Sequence, residues 1–210
     1  MTANPTIVLY GGSKLSGHSH RAELMLRLLR LPYEYRTINL GKGEHKTPAF
    51  LALNPFGTVP VLEDGGHVIA DSAAILVYLA SRYDPERRWL PTDPFAAAQV
   101  QRWLSVAQGP VFNGPNTARL IKLFGRPGDH ERAVAIAQEL LHILEAELQT
   151  RTFLVGETPT LADVAVYSYV SRAPDGQVSL DGYPAVQNWL ARIEALPGFF
   201  AMPAPNVAAA

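Results

Sequence analysis

The 210-residue sequence contains no cysteine. Disulfides, thiolate nucleophiles and cysteine-ligated metal sites are therefore excluded, and any thiol chemistry must use a thiol carried by a ligand. Charge is also scarce, because Asp, Glu, Lys and Arg make up 18% of the chain and the formal net charge is −1. Without a basic stripe, nucleic acids and anionic membrane surfaces are poor candidates as partners. No apolar run reaches the roughly 18 residues that a membrane-spanning helix needs.

Length and composition are those of a globular protein. Hydrophobic residues make up 48% of the chain, enough for a buried core in one large domain or two small ones. The first ten residues lack the charged and apolar regions of a signal peptide, so we expect a cytoplasmic protein. His18 and His20 would point apart on a helix and have no accompanying carboxylate cluster, so we predict no metal site.

Short β-type and α-type patterns alternate over residues 1–83, which predicts an α/β domain. A β-branched run is ended by two glycines, a helical pattern is stopped by Pro32, and an alternating segment follows as a second, parallel strand. The predicted elements are the strand Thr6–Tyr10, a helix from His18 to Leu31, the strand Tyr33–Leu40 and the short helix Pro48–Leu53.

The stretch Asn54–Ile75 combines a hairpin with a helix start. Gly65 and Gly66 separate two apolar pairs, a spacing typical of a two-residue hairpin. Asp71 and Ser72 precede an apolar helical pattern, so one of the two is expected to cap the helix. Backbone N–H groups at such a helix start form a site for a carboxylate or a phosphate.

Beyond residue 83 the composition changes to a linker and then to long helical patterns. Residues 84–94 hold three prolines and show no periodicity, so we predict a linker there. We expect an all-helical domain over residues 95–210, with a capping box formed by Thr160 and Asp163. Its predicted helices are Phe95–Leu104, with a continuation toward Phe124 after a break near Gly109 and Pro110, then Glu131–Thr150 and Tyr183–Leu196.

The loop of residues 12–19 could carry chemistry in several ways. It follows a strand, precedes a helix and nearly matches the phosphate-binding pattern G-x-x-x-x-G-K-[ST]. His18 replaces the lysine, however, and a neutral imidazole does not supply the fixed charge that phosphates need. Ser16 beside two histidines suggests a hydrolase, but no G-x-S-x-G elbow surrounds it.

Four motifs occur in a specific order and spacing. They are L-S-G-H-S-H-R at 15–21, N-P-F-G-T-V-P-V-L at 54–62, A-D-S-A-A-I-L-V-Y-L at 70–79 and F-L-V-G-E-T-P-T-L-A-D-V at 153–164. Together they resemble the cytosolic glutathione S-transferases, in particular the serine-type, bacterial and theta- or phi-like members. The resemblance covers essentially the whole chain. It implies a thioredoxin-like α/β N-terminal domain followed by an all-α C-terminal domain.

The resemblance also places residues around glutathione, the implied co-substrate. They are Val59 and Pro60 as the cis-proline pair at the cysteinyl backbone, Asp71 and Ser72 at the γ-glutamyl end, His45 and Lys46 at the glycyl carboxylate, and Thr58. Thr58 stands where these classes often have glutamine, so one glutathione contact departs from the family pattern.

Ser16 aligns with the serine that donates a hydrogen bond to the glutathione thiolate, so the resemblance makes it the catalytic residue. Ser13 and Ser19 are neighbouring hydroxyls and stay open as alternatives. His18 stands where other classes have a cysteine. Since this chain has no thiol for a mixed disulfide, His18 is expected to tune the thiolate instead.

The implied activity is conjugation of glutathione to a small hydrophobic electrophile, as in cytoplasmic detoxification enzymes that form homodimers. The electrophile pocket is expected between the domains, with Leu15, Trp103, Val106 and Phe112 in its lining. Glutathione-dependent peroxide reduction, isomerisation or dehalogenation on the same site stays open, as does a non-catalytic binding protein of the same fold. We expect no metal, no nucleic acid and no membrane as partners.

Overall fold

The computed structural model describes residues 7–205, which form two compact units. Residues 7–85 and 197–203 make up the first unit, and residues 86–196 with 204–205 make up the second. The expected linker contains neither helix nor strand between residues 84 and 93. Segment 197–203, which the sequence places in the helical domain, lies with the first unit. Thr6 of the predicted first strand lies outside the described residues, as does the chain beyond residue 205.

The first unit is built on a four-stranded mixed sheet in the order β2-β1-β3-β4. The strands are β1 Ile7–Gly11, β2 Tyr33–Thr37, β3 Val61–Asp64 and β4 His67–Ala70. β1 runs parallel to β2 and antiparallel to β3, so the predicted parallel pair is confirmed. β2 ends at Thr37 rather than Leu40, because its partner strand ends opposite it at Gly11. The predicted β3–β4 hairpin is confirmed, and its turn residues Gly65 and Gly66 both have the positive φ that favours glycine.

Three helices accompany this sheet, and the first is shorter than predicted. They are α1 Gly17–Leu28, α2 Pro48–Leu53 and α3 Ser72–Tyr83, with a 3₁₀ turn at Glu44–Lys46. α1 ends before Leu31 because Arg30 takes a left-handed conformation with φ of 55°. The Leu31 N–H then donates to the Leu26 carbonyl at 2.9 Å, and this bond closes the helix end.

The core of the first unit joins β1, β3, α1 and α3. Ile75, Leu76 and Leu79 of α3 are fully buried. The other fully buried apolar side chains of these elements are Leu9, Ala22, Leu24, Met25, Leu26, Val61, Leu62 and Ala80. Each large side chain of this kind contributes about 1.5–3 kcal/mol by leaving water. The loops at the ends of β1 and β3 are therefore attached to a well-packed platform.

Segment 197–203 is attached to α1 by the ring of Phe200. The Phe200 carbonyl accepts a hydrogen bond from His20 Nε2 at 3.0 Å, and the two ring centroids are 4.7 Å apart. The Arg27 guanidinium lies 4.3 Å from the centroid of the Phe200 ring, within the range of a cation–π contact. Gly198 has φ of 93°, and a Cβ there would lie 2.6 Å from the Arg27 carbonyl oxygen, so this close approach requires glycine.

The second unit is all-helical, as predicted. Its elements are α4 Pro94–Gln108, a π-helical segment Phe112–Asn116, α5 Thr117–Phe124, α6 His130–Leu148, α7 Leu161–Val170, a 3₁₀ turn Ala173–Gly176 and α8 Pro184–Glu194. The predicted break near Gly109 and Pro110 is confirmed, and a π-helical turn resumes the helical path toward α5. None of the helices in the described part of the chain has the length and apolar character needed to cross a bilayer.

α7 is the central helix of this unit, because all its residues from Leu161 to Val170 are buried. The predicted capping box is confirmed: Thr160 caps α7 and Asp163 Oδ2 accepts from the Thr160 N–H at 2.8 Å. Asp163 Oδ1 also accepts from the Leu154 N–H at 3.0 Å and from Trp189 Nε1 at 2.8 Å. Burial raises the pKa of Asp163, and these donors offset part of that rise.

Candidate active site

Ser16 lies in the loop that joins β1 to α1, at the N-cap of α1. Its Oγ accepts a long bond of 3.4 Å from the Ser19 N–H, and its own N–H donates to the Ser13 carbonyl at 2.9 Å. The cap uses an oxygen lone pair and leaves the hydroxyl proton for another acceptor. Ser16 is partly exposed, so the start of α1 presents both this hydroxyl and the positive end of the helix dipole to a ligand.

The two neighbouring serines differ in accessibility. Ser19 is 1% exposed, and its Oγ accepts from the Gly12 N–H at 3.0 Å. The Tyr35 hydroxyl donates to the Gly12 carbonyl at 2.9 Å, so the loop backbone is held from both sides. Ser13 is exposed. Because Ser19 is enclosed and already bonded to backbone, the geometry favours Ser16 over Ser19 as the ligand-facing hydroxyl.

The Val59–Pro60 peptide bond is cis, and Asn54 organises the loop ahead of it. Asn54 Nδ2 donates to the Thr58 carbonyl at 2.8 Å and to Thr58 Oγ1 at 3.0 Å. Its Oδ1 accepts from the Phe56 N–H at 3.1 Å. Asn54 is 2% exposed, so these bonds form in a shielded setting where they are stronger than in water. The Thr58 side chain is thus oriented by a contact within the chain.

The cis-proline loop and the start of α1 meet at Gly12. A Cβ atom added to Gly12 would lie 3.3 Å from Val59 Cγ2 and 3.6 Å from Ser16 Cβ. Val59 and Ser16 therefore both lie against the side of Gly12 where a Cβ atom would stand. The structure brings these two residues together although they are far apart in the sequence.

Asp71 rather than Ser72 caps α3. Asp71 Oδ1 accepts from the Ala73 N–H at 2.7 Å and from the Ala74 N–H at 3.1 Å. Its φ is 79°, outside the regions that a non-glycine residue usually adopts. Such strained residues persist where the surrounding structure holds them, and they are common at binding sites.

Ser72 is the first residue of α3 and contacts His18. Its Oγ lies 3.1 Å from His18 Nδ1, and Ser72 is 1% exposed. Burial, and to a smaller extent the nearby Arg21, lowers the pKa of His18 to about 3. The imidazole is therefore neutral at physiological pH. The contact ties the first turn of α1 to the first turn of α3.

His45 and Lys46 lie in the 3₁₀ turn, against the loop that precedes the cis-proline. Lys46 Nζ donates to the Phe56 carbonyl at 3.1 Å. Gly57 has φ of 59°, and a Cβ there would lie 2.7 Å from both the His45 carbonyl oxygen and Lys46 Nζ. Within residues 7–205, His45 Nδ1 is buried without a hydrogen-bond partner. A ligand carboxylate beside this turn would meet both a cation and an unused ring nitrogen.

A cavity of about 190 Å³ lies between α4 and α6 in the second unit. It is lined by Arg102, Trp103, Val106, Pro110, Ile136, Glu139, Leu140 and Ile143. A dry cavity on the order of 150 Å³ can hold benzene, so this cavity has room for one aromatic ring. Of the residues predicted for the electrophile pocket, it brings together Trp103 and Val106. Leu15 belongs to the first unit, and Phe112 is exposed in the π-helical segment outside this lining.

Comparisons with known proteins identify the family of this chain. Family models described as the N-terminal and the C-terminal domain of glutathione S-transferase match residues 15–82 and 126–197. Glutathione S-transferase theta-1 of Bos taurus is 34% identical over 80% of this chain and 75% of its own length. Glutathione S-transferase 3 of Zea mays is 35% identical over 90% of this chain and 89% of its own length. The chain belongs to the glutathione S-transferase family.

Solved structures of glutathione S-transferases confirm the predicted fold class. One from Pseudomonas fluorescens has a TM-score of 0.86 at 33% identity and covers 94% of this chain and 99% of its own. A homologue from Drosophila mojavensis, solved with bound glutathione, has a TM-score of 0.83 at 32% identity. The match covers 92% of this chain and 89% of the homologue. The expectation of a glutathione S-transferase enzyme, with a thioredoxin-like domain and an all-α domain, is confirmed.

Some residues that shape the candidate site have no role assigned to them from the sequence alone. Asn54 is one, although an asparagine just ahead of Pro-Phe-Gly is a known signal for a side-chain-capped turn. Lys14 and Glu23 are others: Lys14 Nζ lies 2.9 Å from Glu23 Oε2 and 3.4 Å from the Tyr35 ring centroid. They steady the loop that carries Ser16. Across residues 7–205, no three His, Asp or Glu side chains gather as a metal site would require.

Proposed function

We propose that this transferase activates the thiol of glutathione through Ser16 and joins its sulfur to a small hydrophobic electrophile. The thiol loses its proton to solvent, the thiolate forms a bond to the electrophilic carbon, and the leaving group departs. The observation that carries the proposal is the approach of Ser16 to Val59 across Gly12. A cysteinyl backbone paired with Val59 would bring its sulfur toward the start of α1.

The energy needed for this activation is available at the start of α1. A free thiol has a pKa of about 8.5, and lowering it by two units needs roughly 2.7 kcal/mol. A hydrogen bond from the Ser16 hydroxyl to the charged sulfur supplies about 1.5–3 kcal/mol. The N-terminus of α1 adds up to about 2 kcal/mol. The two contributions together suffice without a metal or a protein cation.

The two carboxylate ends of glutathione are proposed to bind on either side of Val59 and Pro60. Ser72 and the start of α3 would take the γ-glutamyl α-carboxylate, and Asp71 would face its ammonium group. The turn with His45 and Lys46 would take the glycyl carboxylate, which would satisfy the buried His45 Nδ1. Leu15, next to Ser16, would offer an apolar contact to the electrophile.

The test of the catalytic role compares Ser16→Ala with Ser13→Ala, a matched serine-to-alanine change on the same loop. Activity with glutathione and a standard aromatic electrophile is measured between pH 6 and 9. Ser16→Ala should lower kcat/KM at pH 6.5 at least about tenfold and raise the apparent thiol pKa by at least one unit. Ser13→Ala should change neither quantity. Unchanged activity in Ser16→Ala would mean that another group ionises the thiol.

We also propose that the protein is a cytoplasmic detoxification enzyme that works as a homodimer. Phe56 is 81% exposed, and its loop is held on both sides by Asn54 and Lys46. A large apolar side chain presented on a fixed turn suits burial in a partner, because little conformational entropy is lost. The cavity between α4 and α6 of a second copy has the size of one aromatic ring.

Molecular mass in solution tests the dimer. Phe56→Ser should weaken association, whereas Phe95→Ser, at another exposed phenylalanine with 74% exposure, should leave it unchanged. Val106→Trp fills the cavity and distinguishes its two possible occupants, Phe56 of a second copy and the electrophile. Dissociation of Val106→Trp supports the dimer contact, while an intact dimer with a raised KM for the electrophile supports the predicted electrophile pocket. A monomeric wild-type protein would overturn the dimer.

A further inference from the structure

The contact between His18 and Ser72 links two helix starts that both face the proposed glutathione site. His18 lies in the first turn of α1, and Ser72 is the first residue of α3. The 3.1 Å separation of Nδ1 and Oγ is that of a hydrogen bond. Among residues 7–205, no other side chain bonds to the Ser72 hydroxyl. The orientation of this hydroxyl is therefore decided by His18.

The direction of this hydrogen bond determines what Ser72 can offer a ligand. A carboxylate contains only acceptors, so Ser72 can bind one only by donating a hydrogen bond from its hydroxyl group. The hydroxyl proton is available only if His18 Nδ1 carries a hydrogen and donates to Ser72 Oγ. If Nδ1 were instead unprotonated, the Ser72 hydroxyl would donate its hydrogen bond to His18 Nδ1. An oxygen lone pair of Ser72 would then face the carboxylate.

We propose that His18 is a positioning residue for glutathione: its Nδ1–H holds Ser72 Oγ, so that the Ser72 hydroxyl donates to the α-carboxylate of the γ-glutamyl end. The inference rests on the proposed glutathione site and assigns His18 to binding of the γ-glutamyl group, away from the sulfur. It makes substrate specificity depend on a residue that does not itself touch the ligand.

The surroundings of His18 fit this assignment. Burial and the nearby Arg21 lower the pKa of His18 to about 3, so the ring is neutral. A neutral ring carries one N–H, at either Nδ1 or Nε2. Burial of Ser72 excludes water that would otherwise compete for the hydroxyl. Asp71 already occupies the N–H groups of Ala73 and Ala74, so Ser72 is the residue of this helix start that keeps a donor for the carboxylate.

The experiment measures glutathione kinetics of the full-length protein with His18→Leu and His18→Asn. Asparagine places an N–H donor close to the position of Nδ1, and leucine has none. His18→Leu should raise the KM for glutathione about tenfold with kcat at saturation unchanged, and His18→Asn should restore most of the affinity. Combining His18→Leu with Ser72→Ala should raise KM no further than Ser72→Ala alone. His67→Leu, at an exposed histidine, serves as the control.

Two further readouts separate positioning from other roles. Cysteinylglycine, which lacks the γ-glutamyl group, should react equally well with wild-type protein and with His18→Leu. The ¹⁵N spectrum of the neutral His18 ring should show the Nδ1–H tautomer. Equal KM values for wild type and His18→Leu would overturn the inference, as would a shift of the pH–rate profile without a change in KM. Wild-type protein that binds no glutathione would overturn the proposed function itself.

Discussion

Acidification should destabilise the protein through His20, a buried histidine of α1. His20 is 3% exposed and donates from Nε2 to the Phe200 carbonyl, so its neutral form is bonded and enclosed. Burial lowers its pKa from an ordinary value of about 6.5 to about 4, although the bond to Phe200 opposes this shift. Charging the ring would place an imidazolium next to Arg21 inside the first unit.

The sign and the magnitude follow from proton linkage. Because the folded-state pKa of His20 is depressed, the unfolded chain binds more protons between about pH 6.5 and pH 4. Stability is fully present above the unfolded pKa and is lost as the pH falls toward the folded pKa. Between pH 7 and pH 5, His20 should lower the free energy of unfolding by about 2 kcal/mol.

Urea unfolding at pH 7 and pH 5 measures this loss in wild-type protein, His20→Gln and His67→Gln. His20→Gln should lose about 2 kcal/mol less than wild type on acidification, since it has no ring to protonate. His67 is exposed, so His67→Gln should lose as much as wild type. Direct NMR titration should show the His20 ring still neutral at pH 5. Equal losses in wild type and His20→Gln, or a His20 ring that titrates near pH 6.5, would refute the reasoning.

Two further substitutions remove hydrogen bonds made by buried side chains, Asn54 in the first unit and Asp163 in the second. Asn54→Ala removes the bonds to Thr58 and Phe56 and should lower stability by about 1–3 kcal/mol and raise the KM for glutathione; Asn54→Asp, which keeps the acceptor, should be milder. Asp163→Ala leaves buried donors on Leu154 and Trp189 without a partner and should cost at least about 3 kcal/mol in urea unfolding. Wild-type stability in either alanine variant would contradict the assigned bonds.

Local signals account for the parts of the fold that the sequence predicts well. The hairpin at Gly65 and Gly66 and the capping box of Thr160 and Asp163 depend on residues within four positions of each other. The early end of α1 is different. It depends on Arg30 adopting a left-handed conformation, for which arginine shows no preference that a sequence pattern would reveal.

Contacts between distant residues explain most of what the sequence does not show. The attachment of Phe200 to His20 and Arg27 joins the end of the chain to α1, and no periodicity marks it. In the proposed site, the resemblance indicates which residues would contact glutathione but not how they are connected to one another. The bond between His18 and Ser72 is visible only once α1 and α3 are folded side by side.

Ser16 shows how one side chain can serve both the fold and the chemistry. As an N-cap it accepts a hydrogen bond from the Ser19 N–H, and as a catalyst it would donate a hydrogen bond to the thiolate sulfur. The two tasks use different parts of the hydroxyl, so neither excludes the other. The cap bond is long, at 3.4 Å, which leaves the hydroxyl orientation weakly constrained by the helix. Ser19 has no such freedom, because its buried oxygen already holds the Gly12 backbone, and removing it would disturb the loop before it affected the thiol.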